Sequence, residues 1–140
     1  MARENATRHK LICEGLKGLM AHGYEGVGIG PILASVDVPK GSFYHFFKSK
    51  DDFVGAIIEH YAEIWDGRRK EIFADEKLSP LERLDAYLAV LEGTIHDEHP
   101  AGGCLLGVLG QTISGRSAML RAKLAEAYRS RENSIAGVLQ

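Results

Sequence analysis

The segment from Pro39 to Lys50 concentrates side chains that can bind the phosphates of a nucleic acid. It reads PKGSFYHFFKSK. At helical spacing, Phe43 and one of the two following phenylalanines turn inward, which leaves the polar side chains outward. These outward side chains can donate hydrogen bonds to phosphate oxygens, and the lysines add positive charge; they belong to Lys40, Ser42, Tyr44, His45 and Lys48. The segment therefore predicts a helix that lies on DNA.

A second candidate for chemistry is Cys104, in the run HPAGGCLLG at residues 99–107. The glycines break the chain, and Cys104 then opens a short apolar helix predicted over residues 104–113. A helix N-terminus favours the thiolate, so this thiol would react with electrophiles or oxidants. The other interpretation of Cys104 is a small buried apolar residue. We interpret Cys13, which follows Ile12, as a packing residue.

Other kinds of site have weaker support. The adjacent residues His96, Asp97, Glu98 and His99 are all potential metal ligands, but successive loop residues rarely converge on one ion. We therefore predict no metal site and no cofactor. A cysteine enzyme, with Cys104 as nucleophile and His96 or His99 as base, is an alternative. It lacks an orienting carboxylate or an oxyanion motif at a recognisable spacing, so we expect a protein that is not an enzyme. A helical interaction module that does not bind DNA is a further alternative.

Composition agrees with a globular protein that has a basic end. The 140 residues are 45% hydrophobic, which suffices for a buried core. Residues 1–50 carry seven Lys and Arg against four Asp and Glu, whereas residues 51–140 carry ten against fifteen. The basic end is the better candidate for binding nucleic acid. The two cysteines form no Cys-x-x-Cys pair, and no apolar run approaches the ~20 residues of a membrane span, so we expect a cytoplasmic protein without membrane contact.

Apolar residues recur at spacings of three and four along the whole chain, and no strand-like alternation interrupts them. The sequence therefore predicts an all-α fold. The predicted helices cover about residues 7–22, 31–36, 40–47, 50–73, 79–95, 104–113 and 117–139. Ser49 is the predicted N-cap of the fourth helix, and Asp51 and Asp52 complement the dipole of that helix.

The second and third predicted helices are short, are joined by a tight break and are followed by a long helix, as in a helix-turn-helix. Here the sequence resembles the TetR family of bacterial repressors. The resemblance covers about residues 7–55 and is carried by Gly23-Tyr24-Glu25, by Ile32 and by residues 38–50. It implies a DNA-binding domain over residues 1–50. It also implies a helical domain for ligand binding and dimerisation over residues 51–140, which we expect to lack its last helices.

The resemblance also implies roles for single residues of the DNA-binding domain. Lys40 and Ser42 would lie near bases or phosphates, and Tyr44 and His45 would contact the DNA backbone. Lys50, at the N-terminus of the fourth helix, would bind a phosphate together with free backbone N–H groups. Gly28 stands just before the second helix, where many relatives have a serine or threonine, and it offers only its backbone N–H.

For the second half, the resemblance implies a homodimer that binds a palindromic double-stranded operator and is released by a small-molecule effector. The Gly-Cys-Leu sequence at residues 103–105 looks like that of a subgroup answering to reactive electrophiles and unsaturated acids. We predict that aromatic and apolar residues line the effector pocket beside Cys104, although each of them is also a candidate for the core. They are Tyr61, Trp65, Tyr87, Leu88, Leu91, Leu105 and Leu109.

Overall fold

Seven α-helices account for nearly all of the residues that the computed structural model describes, which are 2–98, 104–113 and 115–140. The helices are α1 (Ala2–Gly26), α2 (Ile29–Val36), α3 (Lys40–Phe46), α4 (Lys50–Phe73), α5 (Pro80–Glu98), α6 (Leu105–Thr112) and α7 (Ala118–Leu139). These ranges contain no strand, and the all-α prediction is confirmed. None of the described helices is both long and apolar enough to cross a membrane.

Side-chain caps mark the starts of α4, α5 and α7. The Ser49 hydroxyl accepts a hydrogen bond from the N–H of Asp52 at 3.1 Å at the start of α4. Ser79 and Glu82 bond each other's backbone N–H groups before α5, which is a capping box. Ser117 accepts a bond from the first turn of α7 at 3.2 Å. Because these caps can be recognised in the sequence, the predicted starts of these helices agree closely with the structure.

Several helix boundaries differ from the predicted ones, and the largest differences are in α1. Helix α1 begins at Ala2 and ends at Gly26 instead of covering residues 7–22, because its polar first turns carry no apolar periodicity to mark them. Gly23, just beyond the predicted end, interrupts the helix with a φ of 70°, a conformation that glycine adopts without steric cost. Helix α2 begins two residues before Pro31, which still lies in the first turn, where its missing N–H is not needed.

Helices α1 and α4 run antiparallel and cross closely. Tyr24 near the end of α1 contacts Asp51 at the start of α4, whereas His9 near the start of α1 contacts His60 further along α4. At the crossing, a Cβ atom on Gly15 would lie only 2.5 Å from a ring atom of an α4 side chain. The helices can approach this closely only because residue 15 has no side chain.

The core beneath α3 is aromatic. Phe43 and Phe47 are at most 1% exposed, and Phe53 of α4 is 2% exposed. Their ring centroids lie 4.8 to 5.4 Å apart, in the tilted and edge-to-face arrangements that aromatic pairs prefer. Of the two phenylalanines that could turn inward with Phe43, Phe47 is the buried one, whereas Phe46 is only half-buried at the end of α3.

Helix α6 lies between α7 and the head, which is the unit formed by α1, α2 and α3. It packs against both α1 and α7. Leu105, Leu109 and Ile113 are fully buried on one side of this segment. Because α6 packs closely on α1, a displacement of α6 would also displace the first helix of the head.

Candidate DNA-binding surface and effector site

The outer face of α3 presents the residues predicted to bind DNA. Lys40, Tyr44 and His45 are exposed, and Ser42 is half-buried. Phe43, between them in sequence, is fully buried. The structure therefore separates a polar outer face from an aromatic inner face on this short helix, as a helix that enters a DNA groove requires.

Two side chains of this face are held by neighbours. The ring of Tyr44, half exposed, packs edge-to-face on Phe43 with 5.3 Å between centroids. His45 Nε2 lies 3.8 Å from a carboxylate oxygen of Glu4, which comes from the first turn of α1. Since both His45 and Glu4 are well exposed, this pair contributes little to stability and can yield to a phosphate.

Glycine and proline occupy the N-cap positions of the two short helices. Gly28 is the N-cap of α2 and Pro39 is the N-cap of α3, and neither offers a side-chain cap. Pro39 has φ −64° and ψ 149°, so its ring holds the backbone in the extended conformation that precedes a helix. The backbone N–H groups of the first turns are thus left without a side-chain acceptor from these positions.

Lys50 has partners inside the protein. Its Nζ donates a hydrogen bond to the backbone carbonyl of Tyr24 at 2.7 Å and lies 4.4 Å from the centroid of the Tyr24 ring. The Tyr24 hydroxyl donates to Asp51 at 2.5 Å, and this hydrogen bond raises the pKa of Tyr24 to about 12. Lys50 therefore joins α4 to the end of α1, a role that the sequence did not suggest. Lys48, two residues earlier, is exposed.

Cys104 is the N-cap residue of α6 and lies among polar groups of two other helices. The Tyr61 hydroxyl of α4 donates a hydrogen bond to its sulfur at 3.4 Å. The guanidinium of Arg131 on α7 lies 3.9 Å from the same atom. The thiol is half-buried, so it is not an ordinary solvated cysteine.

These neighbours change the acidity of the thiol. Burial by itself would raise the pKa of Cys104. The Tyr61 hydroxyl, the backbone N–H groups in the first turn of α6 and the charge of Arg131 act in the opposite direction and prevail, so the pKa lies below its ordinary value. Burial, followed by the contact with Cys104, raises the pKa of Tyr61 and keeps its hydroxyl protonated as a donor.

A small chamber lies beside the Cys104 sulfur, between α4, α5, α6 and α7. Its free space is about 10 Å³, which is enough for about one water molecule. Five of the predicted pocket residues line it together with residues that we did not predict. The five are Tyr61, Trp65, Tyr87, Leu91 and Cys104.

Three predicted pocket residues lie elsewhere. Leu88 is 56% exposed and borders an open surface groove on α5 with Leu91 and His96, because only the Tyr87 side of α5 packs on α4. Leu105 and Leu109 are fully buried but do not line the chamber; they belong to the core around α6. Helical periodicity placed these apolar residues on helices but did not show which neighbouring helix each side chain faces.

Two arginines, Arg69 and Arg131, complete the chamber, and neither was predicted from the sequence. Arg69 is 3% exposed, pairs with the carboxylate of Asp66 and lies 5.9 Å from the centroid of the Tyr87 ring. Its Nε is buried and has no hydrogen-bond partner within the described part of the chain. A signal did exist, since Arg69 continues the spacing of four set by Tyr61 and Trp65 along one face of α4.

The suggested metal ligands at residues 96–99 fall partly outside the described residues. His96 is exposed at the end of α5, whereas His99 and the side chains of Asp97 and Glu98 are not described. The proposed Cys–His enzyme pair with His99 also lies outside the described ranges.

Comparison with known proteins identifies a family of similar bacterial regulators. The sequence profile described as "Bacterial regulatory proteins, tetR family" matches residues 13–57, from α1 into α4. The chain is 40% identical over 114 residues to the transcriptional regulator AcuR of Cereibacter sphaeroides. This match covers 81% of the chain but only 52% of AcuR, so the chain spans about half of that relative's length.

Solved structures share the whole described architecture. A regulatory protein TetR from Rhodobacter sphaeroides is 35% identical, with a TM-score of 0.87 over 94% of this chain and 69% of that chain. The reduced form of NemR from Escherichia coli is 28% identical, with a TM-score of 0.83 over 96% of this chain and 69% of that one. With the helix-turn-helix surface of α2 and α3 in place, these similarities show that the chain belongs to the TetR family of bacterial regulatory proteins.

Proposed function

We propose that the protein is a transcriptional repressor that binds its operator through α3 and releases it when a small electrophilic anion reacts at Cys104. The separation of α3 into a buried aromatic face and an exposed face with Lys40, Tyr44 and His45 carries the DNA-binding part of the proposal. The relatives described above are regulators by name, which supports this role over an enzymatic one. In this proposal the fold uses its polar face to contact DNA and its buried core to hold that face in place.

Operator binding in this proposal requires a homodimer. Two copies of α3 would enter successive major grooves of a palindromic site, about 34–36 Å apart or at a related spacing. Lys40 and Ser42 would lie near bases or phosphates, and Tyr44, His45 and Lys48 would contact the DNA backbone. The exposed N-caps at Gly28 and Pro39 leave backbone N–H groups that suit phosphate oxygens.

The chemistry of the chamber favours an α,β-unsaturated carboxylate as the effector. The carboxylate would pair with the guanidinium of Arg69 or Arg131, and this pairing offsets the negative charge that makes such acids poor acceptors of a nucleophile. The Cys104 thiolate would then add to the β carbon. The carbon–carbon double bond becomes a single bond, and the α carbon takes up a proton.

The size of the chamber supplies the coupling between effector and DNA. A free space of about 10 Å³ cannot accept even a three-carbon acid unless the surrounding helices separate. Helix α4 carries Tyr61 and Arg69 into the chamber and begins only four residues after α3 ends. An effector that needs the open chamber therefore favours a state in which α4 is displaced, and this population shift would move α3.

A second physical connection joins the chamber to the head. Cys104 caps one end of α6, and beyond the other end Arg116 pairs with Glu25 and lies 5.8 Å from the ring centroid of Tyr24. Tyr24 in turn holds Lys50 at the start of α4. A shift of α6 after modification of Cys104 would thus reach the junction between α1 and α4.

A mobility-shift assay with the DNA upstream of the protein's own gene tests this function. The expected result is a sequence-dependent complex that dissociates on addition of a three-carbon unsaturated acid. The neutral amide of the same acid, which has similar shape and no carboxylate, should act much more weakly because Arg69 and Arg131 cannot pair with it. Failure to bind any DNA would contradict the repressor role. Equal responses to acid and amide would contradict the anionic effector and leave the DNA-binding part intact.

A further inference from the structure

A cluster of three metal-ligating side chains lies where α1 crosses α4, away from both the α3 surface and the Cys104 chamber. It consists of His9 and Cys13 on α1 and His60 on α4. One ligand atom from each residue lies within 4.8 Å of the other two. His9 is exposed, and Cys13 and His60 are half-buried, so a dissolved ion can reach the cluster.

The fold brings these residues together for simple geometric reasons. His9 and Cys13 are four residues apart and therefore lie on the same face of α1. The antiparallel crossing at Gly15 places His60 opposite them, with the His9 and His60 rings 5.3 Å apart and nearly perpendicular. Neither the DNA-binding role nor the effector role of the protein uses any of the three.

The distance between the two ligands on α1 already fits a tetrahedral ion. Bond lengths of about 2.1 Å to imidazole nitrogen and 2.3 Å to thiolate sulfur, at a tetrahedral angle, place the two ligand atoms about 3.6 Å apart. The Cys13 sulfur lies 3.5 Å from His9 Nε2. The His60 side chain, on the facing helix, has to approach by only about an ångström to complete three bonds of this length.

The ligand types select a class of metal. Two imidazoles and one thiolate suit zinc and its first-row neighbours, whereas magnesium and calcium prefer oxygen ligands.

We propose that His9, Cys13 and His60 bind a divalent transition metal of the zinc class, with a water molecule in the fourth position. Three protein ligands with one open position form a recognised arrangement for zinc. Because the ligands come from both helices, a bound ion joins α1 to α4 at the end opposite the Tyr24–Lys50 contact. Metal binding would therefore stabilise the folded protein and restrict relative motion of the two helices.

Titration of the protein with Co²⁺, followed by absorption spectroscopy, tests the site directly. A phosphine reductant that does not bind metals keeps the thiols reduced. We expect one equivalent to bind, with a sulfur-to-cobalt charge-transfer band and the intense visible bands of tetrahedral cobalt. Excess Zn²⁺ should displace the cobalt, and Mg²⁺ should not.

Substitutions assign the ligands. Cys13→Ser should abolish the charge-transfer band. His9→Gln or His60→Gln should weaken cobalt binding by more than about 100-fold, because loss of a residue that only hydrogen-bonds a metal ligand already costs ~10–100-fold. Cys104→Ser removes the other cysteine and should leave the spectrum unchanged. His22→Gln, on the exposed surface of α1, is the matched histidine control. Circular dichroism establishes that each variant is folded.

A thermal-unfolding measurement gives an independent readout. Zn²⁺ should raise the unfolding temperature of the parent protein and of His22→Gln but not that of Cys13→Ser or His60→Gln. The absence of cobalt binding would overturn the proposal. A charge-transfer band that survives in Cys13→Ser and disappears in Cys104→Ser would also overturn it, because the metal would then be bound at the chamber.

Discussion

Helix α3 and the Cys104 chamber use similar side chains under opposite conditions of exposure. On α3 the charged and hydroxyl groups of Lys40, Tyr44 and His45 face solvent, where salt screens them. In the chamber, Arg69 is 3% exposed and the Cys104 thiol is half-buried. A cation on the surface is ready to bind a phosphate without any rearrangement, whereas a buried cation acts on a ligand only after the helices around it separate.

This difference assigns different physical tasks to the two regions. The α3 surface requires a rigid support, and the aromatic core of Phe43, Phe47 and Phe53 supplies it. In the effector response that we propose, the chamber must change shape, because its free space is smaller than a three-carbon acid. A rigid head joined to helices that separate would suit this response, since the separation can displace the head without unfolding it.

The rigidity of the head has the largest predicted effect. Phe43→Ala removes a fully buried ring that contacts three other aromatic rings, and it should destabilise the protein by about 3–5 kcal/mol. Urea unfolding measures this loss. Leu88→Ala, at an exposed apolar position of α5, is the control and should change stability by less than about 0.5 kcal/mol. Similar losses of stability in the two variants would contradict the distinction between the buried aromatic core of the head and the exposed apolar face of α5.

Lys50 sharpens the comparison because it has contacts inside the protein and lies beside the predicted DNA surface. We predict that Lys50→Ala weakens binding to operator and to random DNA alike and reduces the slope of log affinity against log salt by about 1. Fluorescence anisotropy over a series of salt concentrations measures the slope. An unchanged slope would remove Lys50 from the phosphate contacts and leave it only the contact with Tyr24.

Arg131 tests whether a nearby positive charge makes the chamber thiol reactive, and its effect should be smaller. Loss of its charge in Arg131→Gln should raise the pKa of Cys104, because the charge helps to hold that pKa below its ordinary value. The thiolate fraction at neutral pH then falls, so alkylation by iodoacetamide should slow several-fold and its pH profile should shift to higher pH. Arg129→Gln, an exposed arginine on the same helix, should leave the profile unchanged.

The head could be predicted from the sequence more fully than the chamber. Residues 39–50 form one contiguous segment, so its spacing alone separated Phe43 from Tyr44 and His45. Helix starts at Ser49 and Ser117 were also predictable, because capping depends on residues within one turn. The pairing of Lys50 with Tyr24 joins residues far apart in sequence, and no local pattern indicates it.

The chamber depends on how four helices rotate against each other, which periodicity does not determine. Tyr87 and Leu88 are adjacent in sequence, yet one is 3% and the other 56% exposed. Arg69 and Arg131 were missed because a basic residue on an amphipathic helix ordinarily faces solvent. The cluster of His9, Cys13 and His60 was missed for a related reason, since only the register of α1 against α4 brings His60 to the other two.

The most direct test of the account compares the two cysteines of the chain in one measurement. Operator binding is followed by anisotropy while the unsaturated acid is added to the parent protein, Cys104→Ser and Cys13→Ser, and intact mass reports the covalent adduct. We predict equal operator affinity for all three proteins before addition. The acid should then add one adduct and release the DNA from the parent and from Cys13→Ser, but not from Cys104→Ser. Release of the operator from Cys104→Ser at the parent rate would contradict control of the head by the Cys104 thiol.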